Sequence, residues 1–365
     1  MKEAELLNSS DVTSFLICSL IGVELIRLSY TVATITQQDG WLPVILGSIY
    51  PLYIILLCNY IAKKFPCDDL IDISKILFGK VLGSILVLIF CIQFILYIPQ
   101  MISDVISINY VYISPHLSPT KISIITTLIV FYSATRGLKV LCKASAPIII
   151  LTFLLIVFIS LPLKKGSILN LMPILSTAKI SKILEASINT SYSYTTIELI
   201  LLIHPFVKNK ENLRRDSLIS LLVVTIMYTW TVVINLYLFG TETIIKTNWP
   251  LIFNSESLIT SAISSFRYIF LFLWSPNAYI TMSIEYYILS YIVSKTFNFS
   301  IKKVSIVLLP IFIVASVLMY NLKMLNFTKT LAVPYLVIFN IAYITSLTIF
   351  TYIKSKKNRL QNSKL

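Results

Sequence analysis

Charge is scarce in this 365-residue chain: Asp, Glu, Lys and Arg make up 13% of it, about half the share usual in soluble domains. Histidine occurs twice, at His116 and His204, and neither stands in an H-E-x-x-H arrangement, so no zinc-hydrolase motif is present. The eight glycines form no phosphate-cradling loop. The five cysteines are an odd, scattered set without a C-x-x-C pair, which gives neither a disulfide framework nor a metal site. These absences point away from an enzyme, and no cofactor is implied.

Apolar sequence is what the chain has in excess. Hydrophobic residues make 57% of it and the mean hydropathy is +0.85, the composition of a multi-spanning membrane protein. Runs of about 20 apolar residues, long enough to cross a bilayer, fall at about 12–34, 42–62, 82–108, 120–135, 145–163, 184–206, 217–239, 263–292, 303–321 and 331–352. The expected fold class is therefore all-α integral membrane, with ten transmembrane helices. The longest intervening stretches, about 63–81, 164–183 and 240–262, are too short to fold alone, so residues 1–365 read as a single transmembrane domain. The first run is too long for the apolar core of a signal peptide and is expected to remain as a helix.

The net charge of +14 is distributed unevenly. With a cytoplasmic N-terminus, twenty Lys and Arg fall in inside segments and eight in outside ones, while Arg27 and Arg267 lie within spans. The positive-inside rule then puts both termini in the cytoplasm. The basic tail, residues 353–365 with its "KSKKNRL", suits the anionic lipid surface of the bilayer rather than nucleic acid.

The segment "KKGSILNLMPILSTAKISK" separates the fifth span from the sixth, dividing the domain into repeats of about 12–163 and 184–352. Because five is odd, the second repeat starts from the opposite side of the membrane, as an inverted repeat requires. The first and sixth spans become counterparts, and both carry marks of a break. The first reads "CSLIGVELIRLSY", with Gly22, Val23, Glu24, Arg27 and Ser29; the sixth reads "NTSYSYTTIELILLIHP", with Thr195, Thr196 and Glu198 among other hydroxyl residues. Hydroxyl groups can meet carbonyls freed by a break, and irregular backbone is tolerated at membrane depth where it lines a cavity. Interruptions at corresponding positions of two repeats point to a binding site.

These residues resemble a known family. "GVELIRLS" fits the register of the first helix in the amino acid/polyamine/organocation permease superfamily, and "QQDGWLPVILG", "TRGLKVLCKAS", "LNLMPIL" and "IELILLIHPFVKN" look like segments of one branch, the B subunits of endospore germinant receptors. The resemblance covers nearly the whole chain in order and spacing. It implies a LeuT-like five-plus-five inverted repeat with broken first and sixth helices, and a nutrient-sensing subunit in the inner membrane of the spore. It also implies two partners, a receptor A subunit and a lipoprotein C subunit. The chain departs from the family register in having Glu24 where a second glycine is usual, Ser29 in place of a proline, and Phe266 before Arg267 where an acidic residue often stands. A glutamate beside the broken first helix would repel a substrate carboxylate, so the departure suits a ligand led by an amine or a cation, or a site that no longer matches its relatives.

Several candidate residues follow. An ionised Glu24 at mid-span costs roughly 2.5–3.5 kcal/mol on insertion scales, which an ion pair with Arg27 at i+3, a bound cationic group, or neutralisation by protonation would each relieve. Glu198 has no basic partner within its own span, and either locks helix packing through a hydroxyl or touches the ligand. Pro99 should kink the third span and wall the pocket beside Gln100; Asp104 lies near the outer interface. The eighth span is long enough to need a tilt or a bend at Pro276. Its Tyr279 and Thr281 supply neutral hydrogen-bonding groups at pocket depth, while Arg267 snorkels outward and Glu285 approaches the inner interface. The expected ligand-binding set is Gly22, Val23, Glu24, Pro99, Thr195, Thr196, Glu198, Tyr279 and Thr281, with Arg27 and Arg267 as ion-pair or snorkelling residues and no metal ligands.

Three functions compete. The first is a receptor that binds a small amino-acid-like, amine or cation nutrient and signals to partner subunits through loops such as "VKNKENLRRDS". The second is a secondary active transporter of amino acids or amines. The third is a scaffold subunit that has lost its ligand.

Overall fold

The computed structural model describes residues 6–175, 178–258, 266–322 and 332–362. All regular elements among them are helical; the only β-type pairing is an isolated bridge between Leu7 and Val207. The order is α1 (Ser9–Ile21), α2 (Leu28–Thr36), α3 (Trp41–Gly47), α4 (Ile49–Lys64), α5 (Leu70–Phe78), α6 (Lys80–Ile108), α7 (Pro119–Ala134), α8 (Leu138–Ser160), α9 (Ile180–Ser191), α10 (Ile200–Ile203), α11 (Leu213–Ile244), α12 (Pro250–Glu256), α13 (Arg267–Phe297), α14 (Ile301–Asn321) and α15 (Val333–Asn362). Among the described residues, six helical segments, 41–64, 80–113, 138–165, 210–244, 301–321 and 334–356, are long and apolar enough to cross a membrane. Their outer faces carry bare apolar side chains such as Val81, Phe153, Leu222, Val307 and Tyr335, the surface that hydrocarbon rather than water would cover.

Local chemistry sets the ends. The Asn8 amide donates to the Asp11 carboxylate at 3.1 Å at the start of α1. Ser118 precedes α7, accepting from the Lys121 amide with Pro119 at the first position, and Ser300 does the same for the Lys303 amide at α14. These are the side-chain acceptors that otherwise unpaired N–H groups at a helix start require.

Two of the stretches between the expected spans are partly helical. Within 63–81, α5 is capped by Asp69, whose carboxylate accepts from the Ile71 and Asp72 amides at 3.0 and 3.1 Å, and it stops at Gly79, where φ is +85°. It buries Leu70, Ile71, Ile73 and Ser74, and Lys295 at the end of α13 pairs with Asp69 and Asp72 at 2.6 and 2.5 Å. Within 240–262, α12 begins at Pro250 and packs on α13. Pro99 and Pro276 both lie inside continuous helices, α6 and α13. Residues 263–265 of the expected eighth span, residue 331 of the tenth and residues 363–365 of the tail lie outside the described residues.

α1 lies at the centre, packed on α8, α11 and α13, while α9 packs on α2 and α3. α1 also meets the turns at Tyr192–Tyr194 and Ile197–Leu199 that follow α9, so the ends of these two short helices are brought together.

Candidate functional site

α1 stops because Gly22 adopts φ +42°, a conformation strained for any residue with a side chain. The chain resumes as a tight 3-10 turn, Glu24–Ile26, and then α2. A helix ending in the interior leaves its last four carbonyls without intrahelical partners. Here those are Cys18, Ser19, Leu20 and Ile21, and three hydroxyls from distant segments lie within hydrogen-bond reach of them, Leu20 and Ile21 sharing one. Thr281 of α13 donates to the Cys18 carbonyl at 2.6 Å and Thr196 to the Ser19 carbonyl at 2.9 Å. Tyr228 of α11 reaches the Leu20 and Ile21 carbonyls at 2.6 and 3.1 Å, and the Ser193 carbonyl at 3.2 Å.

Ser193 belongs to the second interruption. α9 ends at Ser191 and tightens to a 3-10 turn at Tyr192–Tyr194; Thr195 is extended, and Thr196 is left-handed at φ +82° before a second turn at Ile197–Leu199. A left-handed threonine is strained, and its hydrogen bond to Ser19 holds it there. The Thr195 hydroxyl turns back to the Tyr192 carbonyl at 2.9 Å. The Tyr228 hydroxyl therefore joins both interruptions.

A small cavity of about 30 Å³ lies between them, lined by Ser19, Leu20, Gly22, Val23, Glu24, Tyr97, Met101, Tyr192, Ser193, Thr195, Thr196, Thr281 and Glu285. Six expected site residues meet there: Gly22, Val23, Glu24, Thr195, Thr196 and Thr281. Glu24 is half-buried, Glu285 only 3% exposed, and no lining residue is basic. Tyr97 and Tyr192 pack edge to face at 5.1 Å between centroids. Glu285 corrects the sequence reading: its Oε2 is buried with no hydrogen-bond partner among the described residues, and it lies at the cavity rather than at an interface.

The other expected residues are placed elsewhere. Glu198 is fully buried behind the cavity wall, where the Tyr50 hydroxyl donates to its Oε1 and Asn340 Nδ2 donates to the same atom at 3.3 Å. Asn340 also donates to Gln93 Oε1 at 2.9 Å, so the cluster ties α4, α6, α15 and the Ile197–Leu199 turn together. Glu198 Oε2 has no partner among the described residues. Pro99 is buried within α6 and does not line the cavity. Tyr279 faces a separate crevice of about 290 Å³ with Val105, Asn109, Leu271 and Trp274. Arg267 pairs with Glu256 of α12 at 2.8 Å and lies over the Tyr112 and Tyr268 rings. The α-helical i+3 arrangement expected for Glu24 and Arg27 is replaced by the 3-10 turn, in which the Arg27 amide donates to the Glu24 carbonyl at 3.0 Å, and the guanidinium lies 5.1 Å from the Tyr30 ring centre.

One helical turn beyond the small cavity is a wider one of about 440 Å³, lined by Arg27, Gln100, Ser103, Asp104, Ser107, Asn248, Trp249, Met319, Tyr320 and Asn321. The two are neighbours along both walls: Glu24 and Met101 face the first, Arg27 and Gln100 the second.

Two helices interrupted side by side around a polar cavity, in an otherwise apolar all-helical bundle, define a LeuT-like transporter-fold membrane protein. The fold matches that of MhsT in complex with L-phenylalanine with a TM-score of 0.70 at 15% identity, covering 92% of this chain and 87% of that one. It also matches Mhp1, a nucleobase-cation-symport-1 family transporter in a closed conformation with bromovinylhydantoin bound, with a TM-score of 0.61 at 13% identity, covering 90% and 75%. Within this class the chain belongs to the spore germination protein (spore permease) family, which residues 6–325 match. Among curated relatives, the spore germination protein YndE of Bacillus subtilis (strain 168) is 25% identical over 86% of this chain and 88% of its own length. The spore germination protein GerQB of Bacillus cereus is 24% identical over 73% and 75%, and the spore germination protein A2 of Bacillus subtilis 26% over 81% and 82%. It is a multi-pass membrane protein with a germination-receptor or permease-like role.

Sequence reasoning found both interruptions. It missed Tyr97 and Tyr228, contributed by faces of long apolar helices whose rotation the sequence leaves open, and Tyr192, which stands in the turn of the second interruption, and it misplaced Glu285. Gln93 and Asn340 carried a signal, as lone amides inside apolar runs.

Proposed function

We propose that the chain is the nutrient-sensing B-type subunit of a germinant receptor, binding a small ligand through a cationic group between the two interruptions. One observation carries the reading: Glu24 and Glu285 share a small hydroxyl-rich cavity in which no lining residue is basic. Two carboxylates there favour an ammonium, amine or inorganic cation over an anion. A cavity of about 30 Å³ takes such a head group but is far below the roughly 300 Å³ at which whole-ligand pockets begin, so binding a larger molecule requires the surrounding helices to part. Differential affinity for the parted and closed arrangements is what would shift the equilibrium between them.

The architecture that accompanies this proposal is a single domain of ten spans in two inverted repeats, about 12–163 and 184–352. Both termini and the 353–365 tail are cytoplasmic and the wide cavity faces outward. Location in the spore inner membrane, with an A subunit and a lipoprotein C subunit as partners, is the part of the proposal that rests on the family alone. The fold likeness to MhsT and Mhp1 supports a second reading, a secondary transporter of amino acids or amines.

The test is ligand-dependent thermal stabilisation of the purified chain against amino acids, amines and monovalent salts, with Glu24→Gly and Glu285→Gln in parallel. Ligand at 100 times its Kd stabilises by about 2.7 kcal/mol. Stabilisation by an amine or cation that both substitutions abolish supports the reading; stabilisation that neither affects sinks it. Substrate flux through the isolated protein in vesicles would decide for the transporter.

A further inference from the structure

We propose that a further cavity, between the end of α4 and the approach to α11, is a headgroup site for an anionic phospholipid whose phosphodiester carries an alcohol, as in phosphatidylglycerol. It has a volume of about 200 Å³, and its lining includes Lys63 of α4, Pro66, His204, Lys210 and Glu211. Hydropathy sets its depth. Of the segments long and apolar enough to cross a membrane, 41–64 ends at this cavity and 210–244 begins at it, so it lies where hydrocarbon gives way to headgroups. Basic pockets between spanning helices at that depth take anionic headgroups. His204 also stands in the 3-10 turn His204–Phe206, which closes the segment that follows the second interruption, so a lipid seated here touches the same stretch of chain.

The buried group that marks the site is His204. It is 1% exposed, and its Nε2 lies 2.8 Å from the Phe65 carbonyl. A carbonyl can only accept, so Nε2 carries the proton and Nδ1 of the neutral ring is left as an acceptor. Nδ1 is buried with no hydrogen-bond partner among the described residues, and the nearby Leu201 carbonyl is itself an acceptor. A buried acceptor left unmet is costly, and a hydroxyl donor removes the cost. The charges around it specify what carries that hydroxyl. Lys210 donates to the Pro66 carbonyl, which holds its ammonium at the cavity with further N–H groups to offer, and Lys63 is exposed at the end of α4. Two lysines against Glu211 leave one positive charge. A phosphodiester, singly negative, neutralises it, whereas a phosphomonoester carries up to about twice that charge. Phosphatidylcholine brings the diester but sets a cation beside the lysines and has no hydroxyl; phosphatidic acid lacks the alcohol and overshoots the charge.

Binding of radiolabelled dioleoylphosphatidylglycerol to the full-length protein in a neutral detergent tests this, with dioleoylphosphatidylcholine, dioleoylphosphatidic acid and soluble glycerophosphoglycerol as competitors. The glycerol lipid is expected to bind about fivefold or more tightly than either of the other two lipids. Lys63→Gln should weaken it about fivefold, while Lys303→Gln, which removes the same charge from an exposed position outside the cavity, leaves it intact. His204→Gln can still donate an amide N–H to Phe65 but removes Nδ1, so it should cut the advantage over phosphatidic acid about fivefold or more. Lys63 is exposed, so its variant keeps the test open if His204→Gln unfolds. Equal affinity for phosphatidylglycerol and phosphatidylcholine, affinity unchanged in both Lys63→Gln and His204→Gln, or a loss in Lys303→Gln as large as that in Lys63→Gln overturns the proposal. Displacement by glycerophosphoglycerol at the concentration of the lipid overturns it too, because the ligand would then be a free phosphodiester rather than a component of the bilayer.

Discussion

The Thr281 hydroxyl donates to the Cys18 carbonyl at 2.6 Å, fastening the middle of α13 to the last turn of α1. The same hydroxyl lies 2.9 Å from the Asn277 carbonyl of its own helix, so the rotamer that spans the two helices is also satisfied locally. Thr281→Val removes the donor at nearly constant volume and leaves a buried carbonyl unmet, at a cost of about 1–3 kcal/mol. Thr281→Ser should keep most of the stability, and thermal unfolding of the two variants side by side measures the difference.

At Gly22 the expected penalty is conformational rather than steric. A Cβ there would meet Thr281 Cγ2 at 3.5 Å, an ordinary contact, but φ is +42°. Gly22→Ala should therefore destabilise by about 1–3 kcal/mol, and trimming its neighbour with Thr281→Ser should give no relief. Relief by that second substitution would mean that crowding was the cause.

The Tyr50–Glu198 contact is buried, with Tyr50 7% exposed and Glu198 fully enclosed. Tyr50→Phe strips one donor from a buried carboxylate whose other side-chain donor among the described residues is Asn340, so it should cost more than a surface hydroxyl deletion. A double-mutant cycle with Glu198→Gln should return a coupling of about 0.5–3 kcal/mol. Coupling near zero would show that the cluster is not held as a unit.

At the other end of α13, Lys295 bridges two aspartates that differ in worth. The Asp69 side chain is 3% exposed and caps α5, whereas that of Asp72 is 37% exposed. Asp69→Ala loses the cap, about 0.5–2 kcal/mol, together with a shielded ion pair. Asp72→Ala should cost about 0–1 kcal/mol, and less in high salt. Amide hydrogen exchange across 70–78 reads both, and should quicken much more in the Asp69 variant.

The positions of the helices were legible because apolar runs are long and turn signals interrupt them, and the two breaks were legible because Gly22 and the hydroxyl cluster at 189–196 are unusual at membrane depth. What the breaks use for repair was only half visible. Thr196 was in view as a hydroxyl beside a break, but Tyr228 is one tyrosine among 21, and nothing in "IMYTWTV" says that it turns toward α1. Glu285 looked interfacial because span arithmetic assigns depth by counting along a helix, and α13, at 31 residues, is too long for that count to be anchored. The helix α5 was missed although Asp69 as a cap and Gly79 as a stop stood in the sequence; its nine residues fell below the length sought for a membrane span.

The four carbonyls at the end of α1 draw their donors from three places: α13, the second interruption and α11. If α1 tilts away from any one of them, a bare carbonyl is stranded in apolar surroundings until a new donor or water arrives, a penalty of about 1–3 kcal/mol each. The cost accumulates with each donor lost, so the seated arrangement is held by all of them together. A stretch stitched in this way works as a keystone, keeping the two interruptions in register against small perturbations.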